Sequence, residues 1–430
     1  ERAMYNHILS SQHPKHGGLV YFTSMRPQHY RVYSQPEIAF WCCVGSGIEN
    51  HAKYGEMIYT HNDHSVFVNL FIPSKLSWED KGVVLTQKTN FPETELTTLT
   101  LSMKEDEKFN LNIRHPKWIE KGAMIVTVNG EKIKNNSVPG DYLSILRKWK
   151  NKDVITVQFK MQPYYEQMPD KSPYYALFYG PLVLAAETGH EDLDGLLADG
   201  SRMGHVAHGK LYSRETAPVL VVDGENWQSK IKKVSADKLE FDISQLITPD
   251  SLDNLVIKPF YAIHDARYMV YWQVLKQEEL EKNRLAMQKE EEARMAIEAR
   301  TIDQIAPGQQ QPETEHNFKS EGSEAGIHKD RHWRHTSNWF SYELNDNNKE
   351  AKSLLITYFG GDTNRNFDIL LAGKLLATVK LDGSKGDDFF EVEYEIPAAI
   401  KKSLGQKIEL MFKSHENSIA GGIYGIRLMR

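Results

Sequence analysis

The sequence predicts a multidomain protein of the α+β class, mostly β, in which a short helical opening is followed by antiparallel β-sandwich domains. Three observations predict it. Helical spacing of apolar residues occurs near the start, from Ser46 onward, with Ile48, Ala52, Tyr54, Met57 and Ile58 on one side. From about Ser65 the pattern changes to short alternating runs separated by turn residues, which is the mark of strands. A charged, helix-prone stretch over 276–300 then separates this β-rich region from a second one. The bulk figures agree. At 430 residues there is room for two to four domains, and 40% hydrophobic with 26% charged residues is the balance of a globular protein. The formal net charge of -6 argues against a nucleic-acid surface, which wants a basic face. No apolar run approaches the length of a membrane span.

The opening segment, residues 1–62, holds the chemistry. Its Phe40-Trp41-Cys42-Cys43-Val44-Gly45-Ser46-Gly47 run contains the only two cysteines of the chain, which excludes a disulfide framework. Neighbouring cysteines close only a strained ring, so a bond between them is not expected. A thiol near a helix N-terminus is favoured as thiolate and hence as nucleophile. Two adjacent sulfurs also suit a soft ion such as zinc, and buried free cysteine often does no more than fill a core. The residues alone leave these readings open. The segment's histidines (His7, His13, His16, His29, His51, His61 and His64) share no helical spacing and are expected on surface loops or behind the site. His51, Glu49 and Asn50 follow the cysteine pair closely enough to be candidates for orienting ligands or substrate hydroxyls.

The stretch Trp41-Cys42-Cys43-Val44-Gly45-Ser46-Gly47-Ile48-Glu49-Asn50-His51, continued by Lys53-Tyr54-Gly55-Glu56, closely resembles the cysteine motif of bacterial glycoside hydrolases of families 127 and 146, the β-L-arabinofuranosidase group. Glu1–Leu9 resembles the helix that precedes this motif there, and Gly17-Gly18-Leu19-Val20-Tyr21-Phe22 the strand-like segment between. The resemblance implies that residues 1–62 are the remnant of an (α/α) barrel. It implies a retaining hydrolase in which Cys42 attacks the anomeric carbon, with a zinc ion held by Cys43 and touching Cys42. Sulfur then replaces the second carboxylate of the usual retaining pair. The family's other zinc ligands, a cysteine and a glutamate, and its general acid lie upstream of the pair. Only 41 residues precede Cys42 here, so the chain is expected to be the C-terminal part of a longer enzyme. A periplasmic or extracellular location and a plant polysaccharide or glycan substrate follow from the same resemblance, whereas oligomeric state does not.

Residues 63–210 read as a β-sandwich domain. Strands are expected at Val66–Ile72, Val83–Gln87, Thr98–Leu101, Leu111–Arg114, Val126–Val128 and Ile155–Lys160, with Asn129-Gly130 marking a hairpin turn. Tyr174–Glu187 is the most apolar stretch, broken by Gly180-Pro181, and is expected in the core rather than as a sugar-stacking surface. The Gly-, Asp- and His-rich run over 188–210 reads as an irregular loop.

Residues 211–275 read as a small accessory β-domain, in which His264, Asp265 and Arg267 are expected to form a buried ion pair closing the sheet. Residues 276–315 read as a charged helix without a sustained heptad, then a flexible polar linker at Pro307–Pro312. Residues 316–430 read as a second sandwich resembling carbohydrate-binding modules, with strands at Leu354–Tyr358, Asn366–Leu371, Ala377–Leu381, Glu391–Tyr394 and around Gly425–Leu428. Within it Trp333 and Trp339 are expected in the core rather than as a sugar platform, and the histidines of the run His328–His335 in solvent rather than on a metal. Two functions fit the whole sequence: part of a zinc–cysteine glycoside hydrolase, or a non-catalytic carbohydrate-binding or docking fragment.

Overall fold

The computed structural model describes residues 1–201, 203–249 and 254–430. The chain is mostly β and divides into two compact units, Glu1–Gln288 and Lys289–Arg430. No helix among the described residues is long and apolar enough to cross a membrane.

In the first unit, Tyr59–Asn62, Ser65–Val68, Glu107–Arg114 and Tyr142–Trp149 form a four-stranded sheet in that order, its middle pair parallel. A six-stranded antiparallel sheet follows the order Ser74–Trp78, Val83–Thr89, Leu96–Met103, Val154–Phe159, Met124–Val128, Glu131–Lys132. The inward residues of both sheets, including Phe109, Leu111 and Trp149 of the first and Leu99, Val126 and Ile155 of the second, belong to one buried cluster. Asn129 and Gly130 make the expected two-residue turn, with φ of 52° and 86° at the two positions. One expected strand is shorter than its pattern. It stops at Val68, because the amides of Asn69 and Leu70 both turn to the Ile58 carbonyl and Gln87 donates to the carbonyls of Leu70 and Ile72. Phe71 stays in the core without ladder partners.

A ten-stranded sheet completes this unit. Tyr174–Tyr179 and Leu182–Gly189 form a hairpin at its centre, turning at Gly180 with φ of 57°. They are flanked by strands from much later in the chain: Tyr271–Leu275 pairs with Tyr174–Tyr179, and Val256–Pro259 with Leu182–Gly189. One continuous sheet therefore draws strands from both sides of residue 210.

Residues 1–58 carry little regular structure. Met4–Leu9 is a short π-helix, α1 spans Cys42–Ala52, and the stretch between is pinned by isolated bridges. A second helix, α2, spans Leu280–Arg300 as its charge pattern predicts.

In the second unit, Thr301–Ile305, Gly425–Met429, Ser353–Phe359 and Phe389–Glu395 form one sheet. Lys319–His328, Arg331–Asn345, Lys407–Ser414, Arg365–Leu371 and Lys374–Leu381 form another. Phe340, Tyr342, Leu354, Tyr358, Phe367, Ile408 and Phe412 lie in the core between them.

Two expectations fail here. Pro307–Pro312 is not a flexible linker: it runs into the helix Gln310–Glu315, whose buried Glu313 receives Arg334 at 2.5 and 2.6 Å, Tyr342 Oη at 2.8 Å and the Gly308 amide at 2.8 Å. The His328–His335 run is a tight hairpin followed by a long strand, turning through Lys329 and Asp330 at φ of 46° and 62°. Trp333 and Trp339 sit half-buried on that strand rather than in the core, and His335 faces Glu324 at 3.4 Å.

Candidate active site around the cysteine pair

The helix α1 begins at Cys42, one turn earlier than its apolar spacing suggests. Trp41 is its N-cap, in extended conformation and without a side-chain cap bond, so Cys42 and Cys43 occupy the first two helical positions. The unpaired amides of that first turn and the aligned peptide dipoles favour negative charge at both sulfurs. Both thiols are exposed and free. Most of the expected apolar face is not buried: Val44 is the buried residue of α1 and Ile58 is buried beyond it, while Ile48 and Met57 are 49% and 58% exposed.

Tyr21 supplies the specific contact. Its hydroxyl lies 3.6 Å from Cys42 Sγ. That hydroxyl, and then Cys43, draw the Cys42 thiol below its ordinary titration range, while the same sulfur contact pushes the Tyr21 phenol up. The two shifts point the same way: a hydroxyl that donates to the sulfur favours the charged form of the sulfur and the neutral form of the phenol.

Aromatic rings wall this contact. The His205 ring lies 4.6 Å from Tyr21, 5.1 Å from Phe22 and 4.7 Å from Trp41, centroid to centroid.

The other candidates of the motif lie further along α1. At about 100° and 1.5 Å per residue, Glu49 falls on the Cys42 side of the helix about 10 Å away. Asn50 spends its amide on the Ser46 carbonyl at 2.9 Å, an ordinary helical back-bond. His51 falls about two and a half turns on, on the opposite side, and faces Tyr54 Oη at 2.9 Å. The structure brings Tyr21 to the thiol, with Phe22, Trp41 and His205 packed around Tyr21, while Asn50 and His51 turn to other partners. Nothing in local sequence pattern marks His205, which is 163 residues from Cys42.

Two soft sulfur donors side by side fit zinc chemically, and a tetrahedral site wants two donors more. Among the described residues no third cysteine, histidine or carboxylate converges with this pair. Three ligand atoms do approach within 4.8 Å elsewhere, at His13, His16 and Asp265. Their hydrogen bonds do not suit a metal. His13 Nδ1 accepts the amides of Lys15 and His16, so its proton sits on Nε2 and is donated to Asp265 Oδ2 at 3.0 Å. The His13 and His16 rings are stacked 3.7 Å apart at 6°, so their in-plane lone pairs cannot both meet one ion. Gly18 makes this fold of the loop possible, since a Cβ there would lie 2.3 Å from the Ser34 carbonyl oxygen. His13 and His29 are buried, so for these two the surface-loop half of the expectation does not hold.

The expected ion pair among His264, Asp265 and Arg267 is not formed. Asp265 takes His13, and His264 bridges Tyr33 Oη and the Tyr261 carbonyl at 2.9 and 2.8 Å. Arg267, fully buried, donates instead to four backbone carbonyls: Gln28, Glu191, Asp192 and Lys210, at 2.7 to 2.9 Å. It clamps the loop over 188–210 to the segment that leads to Cys42.

Comparison with known proteins follows this division of the chain. The β-L-arabinofuranosidase GH127 catalytic domain matches residues 1–56, and the GH127 middle domain matches 65–161. A domain of unknown function matches 164–274, and a family of unknown function matches 296–429. Among solved structures, a GH127 β-L-arabinofuranosidase from Geobacillus stearothermophilus T6 is 20% identical with a TM-score of 0.46, covering 64% of this chain and 45% of its own. A second GH127 β-arabinofuranosidase is 20% identical with a TM-score of 0.45, over 63% and 44%. A family 35 carbohydrate-binding module from an environmental isolate is 13% identical with a TM-score of 0.24, over 30% of this chain and 92% of its own. Comparison with curated proteins finds no match. The chain thus spans less than half the length of the hydrolases it is similar to.

The matches to named glycoside hydrolase domains thus fall on the cysteine-bearing segment and on the sandwich after it, and cover less than half of the chain. Both segments are similar to the corresponding domains of β-L-arabinofuranosidases of family GH127.

Proposed function

We propose that this chain carries the nucleophile of a retaining glycoside hydrolase acting on L-arabinofuranosyl linkages of plant polysaccharides or glycans, outside the cytoplasm. The observation that carries the reading is the Cys42 thiol: exposed, in the first turn of α1, with the Tyr21 hydroxyl at 3.6 Å. In the first step Cys42 Sγ attacks the anomeric carbon, a C–S bond forms, the glycosidic C–O bond breaks, and the leaving oxygen takes a proton from a general acid. Water then attacks the same carbon, loses a proton and returns the sulfur as thiolate. Two inversions give net retention. Cys42 and Cys43 would hold zinc together with further ligands, and a bound dication would supply the charge that keeps sulfur deprotonated. Within this chain Tyr21 stabilises the thiolate by donating to it, and α1 aims its free amides at the same atom.

The test is covalent trapping. Incubation with an activated L-arabinofuranosyl donor should add one anhydropentose to the peptide containing Cys42, as seen by mass spectrometry. Cys42→Ser should abolish the adduct. An adduct on any other residue, or retention of the adduct in Cys42→Ser, would refute the assignment.

A further inference from the structure

We propose that the domain over residues 164–274, for which no function is assigned, completes the Cys42 site, and that His205 is its contribution: a positioning residue that holds Tyr21 against the thiol. The inference rests on the reading of Cys42 as the reacting group.

The loop that carries His205 is tied to the cysteine-bearing segment on both sides of that residue. Before it, the Tyr33 amide donates to Leu196 O at 2.9 Å, the Ala198 amide to Tyr33 O at 2.8 Å, and the Gln35 side chain to Ala198 O at 2.7 Å. After it, the Gly209 amide donates to Tyr30 Oη at 2.8 Å, and that hydroxyl donates onward to the Asp194 carbonyl. Arg267 fixes the base of the loop through the carbonyls of Glu191, Asp192 and Lys210. Leu193, Leu196, Ala198 and Ala207 pack with Tyr30, Val32, Ala39 and Trp41 in one small apolar cluster. These ties set where the loop delivers its imidazole.

The delivered ring is buried, and it lies against both residues that flank the thiol. Tyr21, at 4.6 Å, carries the hydroxyl that meets Cys42 Sγ, and Trp41, at 4.7 Å, is the residue before Cys42 and the cap of α1. Tyr21 and Trp41 are themselves 6.2 Å apart, edge to face. His205 touches both rings, and of these Tyr21 is the one that meets the sulfur, so the effect assigned to His205 runs through Tyr21. Without that ring Tyr21 loses a wall and gains rotamers, and its contact with sulfur is no longer enforced.

The experiment uses the whole chain with Cys43→Ser, which leaves a single thiol, and follows its alkylation by iodoacetamide at pH 7. Tyr21→Phe should slow the reaction several-fold, and H205A should slow it equally. The double variant should be no slower than either single one, because both remove the same contact. H205F, which keeps a ring, should restore the rate, whereas H205L, which keeps bulk without a ring, should not. Thermal melting of each variant reports on folding, and the H205L and H205F pair stands if H205A fails to fold. Parental rates in H205A and H205L, effects that multiply in the double variant, or an unaltered Tyr21→Phe rate would each overturn the proposal. The measurement needs no sugar, so a failure here is separable from a failure to trap a glycosyl adduct.

Discussion

The hydroxyl of Tyr21 stands 3.6 Å from the sulfur of Cys42, and each group displaces the titration of the other, tyrosine upward and cysteine downward. An exposed thiol at a helix start acquires by this contact a partner that prefers its charged form. Removing the partner has a definite sign. In Cys43→Ser protein, Tyr21→Phe should move the midpoint of the pH profile for Cys42 alkylation to higher pH, toward an ordinary thiol. The rate above pH 10, where thiolate is complete in both, should be unchanged. A midpoint that stays in place would show the contact to be idle.

Arg267 predicts a stability effect. Its guanidinium satisfies four buried carbonyls, and it lies over the Tyr212 ring at 3.9 Å. Lysine keeps the charge but cannot fork to four acceptors, so Arg267→Lys strands several buried carbonyls. A loss of about 3 kcal/mol is expected, since each stranded buried group costs roughly 1–3 kcal/mol. Urea unfolding of the two proteins measures it.

His316 gives the second unit a pH dependence. Burial opposes its charge, yet the Asp303 carboxylate at 3.1 Å and the Pro312 carbonyl outweigh burial and raise its titration point. Asp303 is lowered against its own burial, through His316 and the Asn345 amide. A raised histidine contributes stability that is full below its unfolded value near 6.5 and is lost as pH rises through the folded value. His316→Gln should therefore destabilise the protein more at pH 6 than at pH 8.5 in denaturant titrations. Equal effects at both values would remove the charged pair from the account.

The hairpin at Asn129-Gly130 tests backbone preference without packing. Gly130 sits at φ of 86° with open space where a Cβ would go, so Gly130→Ala meets no neighbour and strains only its own backbone. The cost should be about 1 kcal/mol, read from the urea midpoint. A larger loss would mean that the turn does more than reverse the chain.

Much of this architecture is legible in the order of residues. The alternating runs around Leu85, Leu99, Val126 and Ile155 become strands of one sheet because each puts its apolar face on a shared core. The Asn129-Gly130 turn follows from φ preference alone. Where local pattern fails, a distant partner decides. Arg331–Asn345 hides as a strand because its first half is basic and aromatic, and partners distant in local pattern, Glu313, Glu321 and Glu324, explain those residues. The start of α1 hides because Cys42-Cys43-Val44-Gly45 has no helical signature, and the Trp41 carbonyl simply accepts the Val44 amide. The cysteine pair itself is plain in the motif. Tyr21 and His205 are not, because folding and not spacing along the chain brings Tyr21 to Cys42 and His205 to Tyr21.

The interleaving of the ten-stranded sheet bears on how such a protein is assembled from parts. A segment beginning at residue 211 would leave Tyr271–Leu275 and Val256–Pro259 without the hairpin they flank, and a segment ending at 210 would bare both sides of that hairpin. Transplantation or recombination of this region in a working protein therefore has to carry residues 163–275 as one block. Arg267 and the loop it grips travel inside that block, so any exchange that preserves the sheet also conveys the ring that stands beside the thiol.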